Sequence, residues 1–225
     1  MEKLAKLDKL FSILLFIVIP IGLYFAFFYA PMEKYMGYVQ KIFYFHVSSA
    51  WVGFFAFFIT FLASIIYLFT NKIKYDNIAS VSVEIGFIFC TIVILTGPVW
   101  AKAAWGVFWT WDPRLTSTLI LWFIYAGYIM LRAYMEESQR KAKFAAAIGI
   151  IGFINVPIVF FSIRWWSNTI HPNVMQKGGG GMESSMFLAV IVCLIVFTIV
   201  YISLLIRGLR ITNLERKIKI LENDN

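Results

Sequence analysis

The sequence predicts an all-α integral membrane protein with six transmembrane helices and both termini in the cytoplasm. Of its 225 residues, 61% are apolar and 14% are charged, whereas a soluble domain is about half apolar and about a quarter charged. The mean hydropathy is +0.80, which excludes the composition of a disordered chain. Six largely apolar segments reach the roughly 20 residues that a spanning helix needs.

The first three predicted helices each follow from a largely apolar run. No small-residue cleavage site follows the first run in the pattern of a signal peptide, so we expect it to remain as a helix. The second begins beside His46, and the third contains Gly97-Pro98, where proline predicts a kink. These helices are predicted at residues 10–30, 44–70 and 82–101.

The last three predicted helices have clearer start signals. Asp112-Pro113 predicts an N-cap followed by proline at the first position of helix 4. Asn155-Val156-Pro157 predicts a kink in helix 5. The glycine run 178–181 predicts a flexible joint before helix 6, and no Lys-Ser/Thr follows it as in a phosphate-binding loop. These helices are predicted at residues 115–134, 144–163 and 184–206.

The six helices are expected to form one membrane domain over residues 1–206, followed by a cytoplasmic amphipathic tail at 207–225. In this tail Leu214, Ile218 and Leu221 form a helical stripe among charged residues. Such a stripe indicates a helix on the membrane surface. Docking of a partner protein is the alternative interpretation of the same pattern.

Basic residues are unevenly divided between the two sides of the predicted bundle. Fourteen of the 20 lysines and arginines lie at the N-terminus, in or beside the gaps at 71–81 and 135–143, or in the C-terminal tail. Six lie in the gaps at 31–43, 102–114 and 164–183. Because positive residues stay on the cytoplasmic side, we expect both termini in the cytoplasm and the less basic gaps at the outer face of the membrane.

The placement of the charged residues indicates the class of partner, and the placement of the cysteines indicates their role. The net charge is +8, but the basic residues lie between apolar blocks and form no stripe, so we expect contact with membrane lipid and not with nucleic acid. Cys90 and Cys193 both lie inside apolar segments and form no CxxC pair. This placement predicts packing residues rather than redox or zinc-binding thiols.

The gap between helices 3 and 4 is unusually rich in aromatic residues. Residues 100–111 contain four tryptophans, more than an interfacial aromatic belt requires. A helical turn would place Trp105, Trp109 and Asp112 on one face as a flat apolar platform, with Trp111 pointing elsewhere.

Three basic side chains border this segment and suit carboxylate ligands. Arg114 carries a rigid guanidinium fork that matches carboxylate geometry. Lys102 and Arg164 can serve similarly, and the alternative for both is simple snorkelling at the membrane interface.

Both histidines of the chain lie in aromatic stretches on the predicted outer side. His46 starts helix 2 and His171 follows helix 5. A hydrogen-bonded structural histidine is the usual interpretation of either one alone. Two imidazoles beside indole faces also suit a planar metal macrocycle such as haem, with arginine partners for its propionates. Zinc is less well supported, because Asp112 is the only obvious third ligand.

The aromatic gap resembles the tryptophan-rich WWD signature of proteins that handle haem during cytochrome c maturation. Its flanking segments are similar to the two histidine-bearing segments of the six-helix haem exporter protein C (CcmC) family, and residues 96–100 also fit. The resemblance covers most of residues 36–175. Larger relatives, CcmF and the CcsA-type synthetases, share the signature but have more helices or an added domain. The matching segments are Trp105-Gly106-Val107-Phe108-Trp109-Thr110-Trp111-Asp112-Pro113-Arg114-Leu115-Thr116, Tyr44-Phe45-His46-Val47-Ser48-Ser49-Ala50-Trp51 and Arg164-Trp165-Trp166-Ser167-Asn168-Thr169-Ile170-His171-Pro172.

The resemblance implies roles for the matched residues. His46 and His171 would be the axial ligands of the haem iron. A second group would form the haem platform and the docking surface for a chaperone, and a third would add propionate or aromatic contacts. The second group is Trp105, Gly106, Trp109, Trp111, Asp112 and Arg114. The third is Lys102, Arg164, Trp100, Trp165, Trp166 and Trp51.

The resemblance also implies a function and a set of partners. The protein would bind haem b transiently at the periplasmic membrane face and deliver it to the haem chaperone CcmE, an imidazole of which bonds to a haem vinyl group. It would associate with the ABC-type subunits CcmA and CcmB and with the small peptide CcmD. ATP hydrolysis would belong to CcmA, since this chain has no Walker A sequence. We therefore expect a haem-binding and transfer protein rather than an enzyme.

Three other classes of function remain as alternatives. A membrane b-type cytochrome subunit that carries electrons would hold its ligands within the spanning helices rather than at their ends. A secondary transporter would show internal repeats and polar residues near the midplane. An enzyme of the outer face would need a nucleophile beside a base such as Asp112, and the sequence offers no such arrangement.

Overall fold

The structure, a computed structural model, describes residues 2–166, 169–171 and 182–223. Within these residues six long helices are each apolar enough to cross a membrane, so the predicted all-α, six-helix class is confirmed. The predicted joint at the glycine run 178–181 lies outside the described residues. The helices are α1 Glu2–Tyr24, α2 Ile42–Thr70, α3 Ile73–Trp105, α4 Pro113–Tyr134, α5 Gln139–Trp165 and α6 Ser184–Asn223, with a π-helical turn at Phe25–Tyr29 after α1 and a 3-10 turn at Tyr38–Lys41 before α2.

Several helices extend beyond the predicted apolar segments, because helical backbone continues into polar sequence. α3 begins at Ile73 rather than at residue 82, so the predicted gap 71–81 shrinks to Asn71 and Lys72. Asn71 adopts a left-handed conformation, with φ of 51°, and ends α2. α6 continues to Asn223, and the predicted tail is the end of this same helix.

The bundle is organised around α2, which contacts α3, α5 and α6, while α1 packs on α6 and α4 packs on α3 and α5. The ring of Phe57 stacks on that of Tyr125, with centroids 3.6 Å apart. A Cβ at Gly86 would come within 2.8 Å of Phe57, so glycine is what permits the close approach of α2 and α3. Cys90 and Cys193 are buried free thiols, which confirms their packing role.

The two ends of the bundle differ in chemistry. We call the end formed by the starts of α2, α4 and α6 the histidine end, and the opposite one the basic end. At the basic end Asp76 binds Arg132 through contacts of 2.7 and 3.1 Å, and Asp8 binds both Arg207 and Arg210. These pairs join α3 to α4 and α1 to α6, and pairing is how charges are accommodated in a membrane bundle.

Candidate functional site

The histidine end contains a cavity of about 280 Å³ between α2, α3, α4, α5 and α6. Its deeper part is apolar and reaches Gly53, Phe57 and Cys90, each two or more helical turns from the nearest loop. The lining includes two arginines, and among the described residues that line it there is no carboxylate. The cavity therefore suits a largely apolar ligand with negative groups at one edge. The sequence-predicted site residues that line it are His46, Trp51, Trp100, Trp105, Trp109, Arg114, Arg164 and His171.

His46 is held against α3 near the start of α2. Its Nδ1 lies 2.9 Å from the hydroxyl oxygen of Thr96. A Cβ built on Gly97 would lie 3.3 Å from its Cε1, so the imidazole packs directly on the glycine backbone. The hydroxyl of Thr96 is a hydrogen-bond partner for the imidazole, and the missing side chain of Gly97 leaves space for it. Together these two residues determine the position of the ring.

Replacing Gly97 with alanine is expected to displace this imidazole and weaken ligand binding in the cavity. The added methyl would lie 3.3 Å from Cε1, a shorter distance than Cβ atoms usually keep from their neighbours. Either the ring or the spacing between α2 and α3 must therefore adjust. Overpacking of this kind typically costs about 1–3 kcal/mol. The measurement is the amount, per purified chain, of bound haem, the ligand that the sequence resemblance implies. Gly127→Ala in α4, where a Cβ meets nothing within 4 Å, is the control. Wild-type binding by Gly97→Ala would show that the ring tolerates the methyl.

His171 lies on the segment that follows α5, and two contacts locate it. Its ring centroid is 6.1 Å from that of Trp105 in an edge-on arrangement. The backbone amide of the preceding residue, Ile170, donates to Asp112 Oδ2 at 2.9 Å. The position of the second histidine is therefore tied to the tryptophan-rich gap.

Asp112 uses both carboxylate oxygens. Oδ1 accepts from the backbone amide of Arg114 at 2.9 Å and caps α4, with Pro113 at the first helical position, which confirms the predicted N-cap. Oδ2 accepts from Ile170. One buried side chain thus starts a helix and anchors the segment beside His171.

Arg114 joins α4 to the end of α5. Its Nη2 donates to the carbonyl oxygen of Phe160 at 2.8 Å, and its Nε lies 3.4 Å from Ser162 Oγ. The guanidinium of Arg164 lies over the rings of Phe160 and Phe161. Both cations line the cavity, and positive charge is therefore concentrated on its α4–α5 side.

Residues 106–112 of the tryptophan-rich gap form a loop between α3 and α4, so the expected helical turn through Trp105, Trp109 and Asp112 is wrong. Gly106 adopts φ of 76° and ends α3, a left-handed conformation that glycine accepts without a steric cost. The ammonium of Lys102 donates to the Gly106 carbonyl at 2.8 Å and closes the helix end. Trp105, the last residue of α3, and Trp109 of the loop nevertheless both line the cavity.

The remaining predicted contacts lie outside the cavity. Trp111 is 76% exposed and borders a shallow depression with Asp112 and Ile170. Trp165 and Trp166 are exposed, and Trp165 stacks on Phe161. The structure therefore separates the seven tryptophans of the predicted site into four that line the cavity and three exposed ones that lie outside its lining.

Two indole groups in the cavity wall lack a protein partner. Within the described part of the chain, the buried Nε1 atoms of Trp100 and Trp109 have no hydrogen-bond acceptor. A buried donor without an acceptor costs about 1–3 kcal/mol. Both indoles therefore keep an unsatisfied donor inside the protein.

Four residues that shape the site had no role predicted from the sequence, although Thr96, Gly97 and Ile170 lie in segments that carry the resemblance. Thr96 and Gly97 hold His46 from a position fifty residues away along the chain, and Ile170 connects Asp112 to His171. Ser162 supports Arg114. None of these contacts has a sequence signal, because each depends on how two separate helices or loops meet.

Across residues 2–166, 169–171 and 182–223, no group of three His, Cys, Asp or Glu side chains is arranged to hold a metal ion.

Comparison of the sequence with known proteins identifies its family. A family model described as "Heme exporter protein C" (CcmC) matches residues 1–223. The protein of that name from Bradyrhizobium diazoefficiens is 35% identical over 208 residues, 92% of this chain and 78% of its own length. That from Haemophilus influenzae is 29% identical over 201 residues, 88% and 81% of the two chains. A mitochondrial protein of Marchantia polymorpha, named as ccmC-like and for cytochrome c biosynthesis, is 33% identical over 170 residues, 75% and 72%.

Proposed function

The chain belongs to the haem exporter protein C family, and we propose that it holds haem in the cavity at the histidine end and delivers it to the chaperone CcmE. It is a multi-pass membrane protein of a family that takes part in haem export for cytochrome c maturation. The observation that carries the proposal is that both histidines of the chain line one cavity together with two tryptophans of the WWD segment.

In this proposal, His46 and His171 would be the axial ligands of the haem iron. Neutral imidazoles are common axial ligands of haem iron. His46 comes from a helix and is braced by α3, whereas His171 comes from a segment braced by Asp112. Their place near the helix ends suits loading and release better than permanent enclosure would.

The haem b propionates would meet the two arginines of the cavity wall. Arg114 and Arg164 both line the cavity and supply its positive charge. Charge-assisted bonds from guanidinium to carboxylate are among the stronger hydrogen bonds. The apolar depth of the cavity near Phe57 would take part of the macrocycle.

The tryptophans of the WWD segment would divide two tasks. Trp105 and Trp109 line the cavity and would contact haem. Trp111 is exposed beside the cavity and would contact the chaperone, with Gly106 and Asp112 holding the loop between them. An exposed aromatic side chain is a common anchor in protein interfaces.

Location and further partners complete the proposal. The excess of basic residues at the basic end supports a cytoplasmic position for that end, with the cavity at the periplasmic face of a bacterial inner membrane. CcmA, CcmB and CcmD are the proposed partners within the membrane, and residues 207–225 would lie at its cytoplasmic surface. The chain itself would bind and transfer haem without catalysing a reaction of its own.

Trp109→Ala and Trp111→Ala form a matched pair that tests the division of tasks. We expect Trp109→Ala to lower both the haem retained per chain and the covalent haem found on CcmE. Trp111→Ala should leave retained haem near the wild-type level and lower only the chaperone's haem. The measurements are visible absorption of the purified protein and haem staining of CcmE from the same membranes.

Trp165→Ala is the control, because this tryptophan is 60% exposed at the same end of the bundle but lies outside the cavity lining. It should leave both quantities unchanged. Equal losses from all three variants would mean that aromatic residues act here through membrane anchoring, and the proposed division would be wrong.

A further inference from the structure

We propose that Thr96 is a positioning residue that holds His46 in the tautomer with hydrogen on Nδ1, which leaves the Nε2 lone pair for iron. The inference rests on the proposed function, since it assigns a role to Nδ1 of His46, the ring nitrogen that would not bind the iron. It concerns a residue of α3 that acts only through the histidine of α2.

The hydrogen bonds around Thr96 determine the direction of its contact with His46. Thr96 Oγ1 lies 2.7 Å from the carbonyl oxygen of Ile92 and 2.9 Å from His46 Nδ1. A hydroxyl has one proton and the carbonyl is only an acceptor. If that proton went to His46, the two oxygens would stand 2.7 Å apart with no hydrogen between them. The proton therefore goes to Ile92, and Nδ1 must donate to Thr96.

This tautomer prepares His46 for a metal. With hydrogen on Nδ1, the Nε2 atom carries the lone pair, and His46 lines the cavity where haem is proposed to bind. In metal sites the ring nitrogen that does not bind the metal usually donates to a fixed acceptor, which sets both tautomer and ring orientation. A Cβ built on Gly97 would lie 3.3 Å from Cε1 of His46. The backbone of α3 at Gly97 therefore packs closely on the imidazole and limits its rotation.

Thr91 provides a matched control on the same helix. Its hydroxyl also donates to the carbonyl four residues earlier, that of Phe87, and accepts a ring N–H from another helix, here Trp122 of α4 at 2.8 Å. It does not line the cavity among the described residues. Thr91→Val therefore removes the same kind of interhelical bond without touching His46.

The experiment titrates haem into the purified full-length protein and its variants and records the affinity and the visible spectrum. Thr96→Val should weaken haem binding by about 10- to 100-fold, as removal of outer-shell partners does, and should convert part of the six-coordinate spectrum to a five-coordinate one. Thr96→Ser, which keeps the hydroxyl, should restore both. Thr91→Val should match the wild type.

Three outcomes separate this inference from the proposed function. Wild-type binding by Thr96→Val, together with loss of binding by His46→Ala, would overturn the inference alone. Equal losses from Thr96→Val and Thr91→Val would also overturn it, because general helix packing would then explain the effect. Wild-type binding by His46→Ala would overturn the ligand assignment and the inference with it.

A measurement on the unaltered protein covers the case in which Thr96→Val does not fold. Nitrogen-15 NMR of the haem-free protein labelled at histidine distinguishes protonated from unprotonated ring nitrogens, and His171→Ala assigns the remaining signals to His46. We expect the protonated signal to be Nδ1. A protonated Nε2 would overturn the inference.

Discussion

His46→Ala and His171→Ala are each expected to remove most of the haem that copurifies with the protein and to lower haem loading of CcmE. Each change removes one proposed axial bond, and the remaining imidazole and the tryptophans of the cavity hold only part of the haem. The loss should exceed the roughly 10- to 100-fold effect of outer-shell changes. Haem per purified chain and haem on CcmE are the two measurements.

Added imidazole offers a control for the shape of the site in these variants. A small free imidazole can replace the missing ring and should restore a six-coordinate spectrum if the cavity is otherwise intact. The amount of each variant in the membrane must equal that of the wild type. Normal haem content and normal CcmE loading in both variants would show that neither histidine binds the iron.

Asp112→Asn is expected to lower haem retention although Asp112 does not line the cavity. Asparagine has one acceptor oxygen in place of two, so it cannot serve both the Arg114 amide and the Ile170 amide. Since asparagine is a good N-cap, we expect the Ile170 bond to be the one that is lost. The segment before His171 would then lose its anchor, and the fraction of six-coordinate haem should fall while the thermal stability changes little.

Two further variants distinguish anchoring from capping. Asp112→Ala removes both bonds and should add a stability loss of about 1 kcal/mol, typical of a lost cap. Ser138→Ala removes only the N-cap of α5, where Ser138 accepts from the Lys141 amide at the basic end, and should leave haem unchanged. Wild-type haem content in both Asp112 variants would show that His171 does not depend on this contact.

The membrane fold could be predicted from the sequence because hydropathy is a local property. Six apolar runs specify six spanning helices whatever their neighbours are, and the N-cap at Asp112 depends on residues that follow it directly. The boundaries of the helices could be predicted less well. α3 begins at Ile73 and α6 continues to Asn223, because a helix outside the hydrocarbon layer needs no apolar sequence.

The residue types of the site were predictable, but their arrangement was not. The two histidines and the tryptophans stand out by composition, and most of them meet at one cavity. The platform was expected on a helical turn, yet the left-handed Gly106 turns the chain into a loop. Bonds such as Thr96 to His46 and Asp112 to Ile170 arise only when distant segments pack, and no local pattern encodes them.

The most direct test of a bis-histidine haem site is the visible and electron paramagnetic resonance spectrum of the protein purified without CcmE from haem-replete membranes. The wild type should show low-spin, six-coordinate haem with two imidazole ligands. The double variant His46→Ala/His171→Ala should lose that signal while the helical content stays the same. The same low-spin signal in the double variant would contradict the assignment, because the chain has no other histidine.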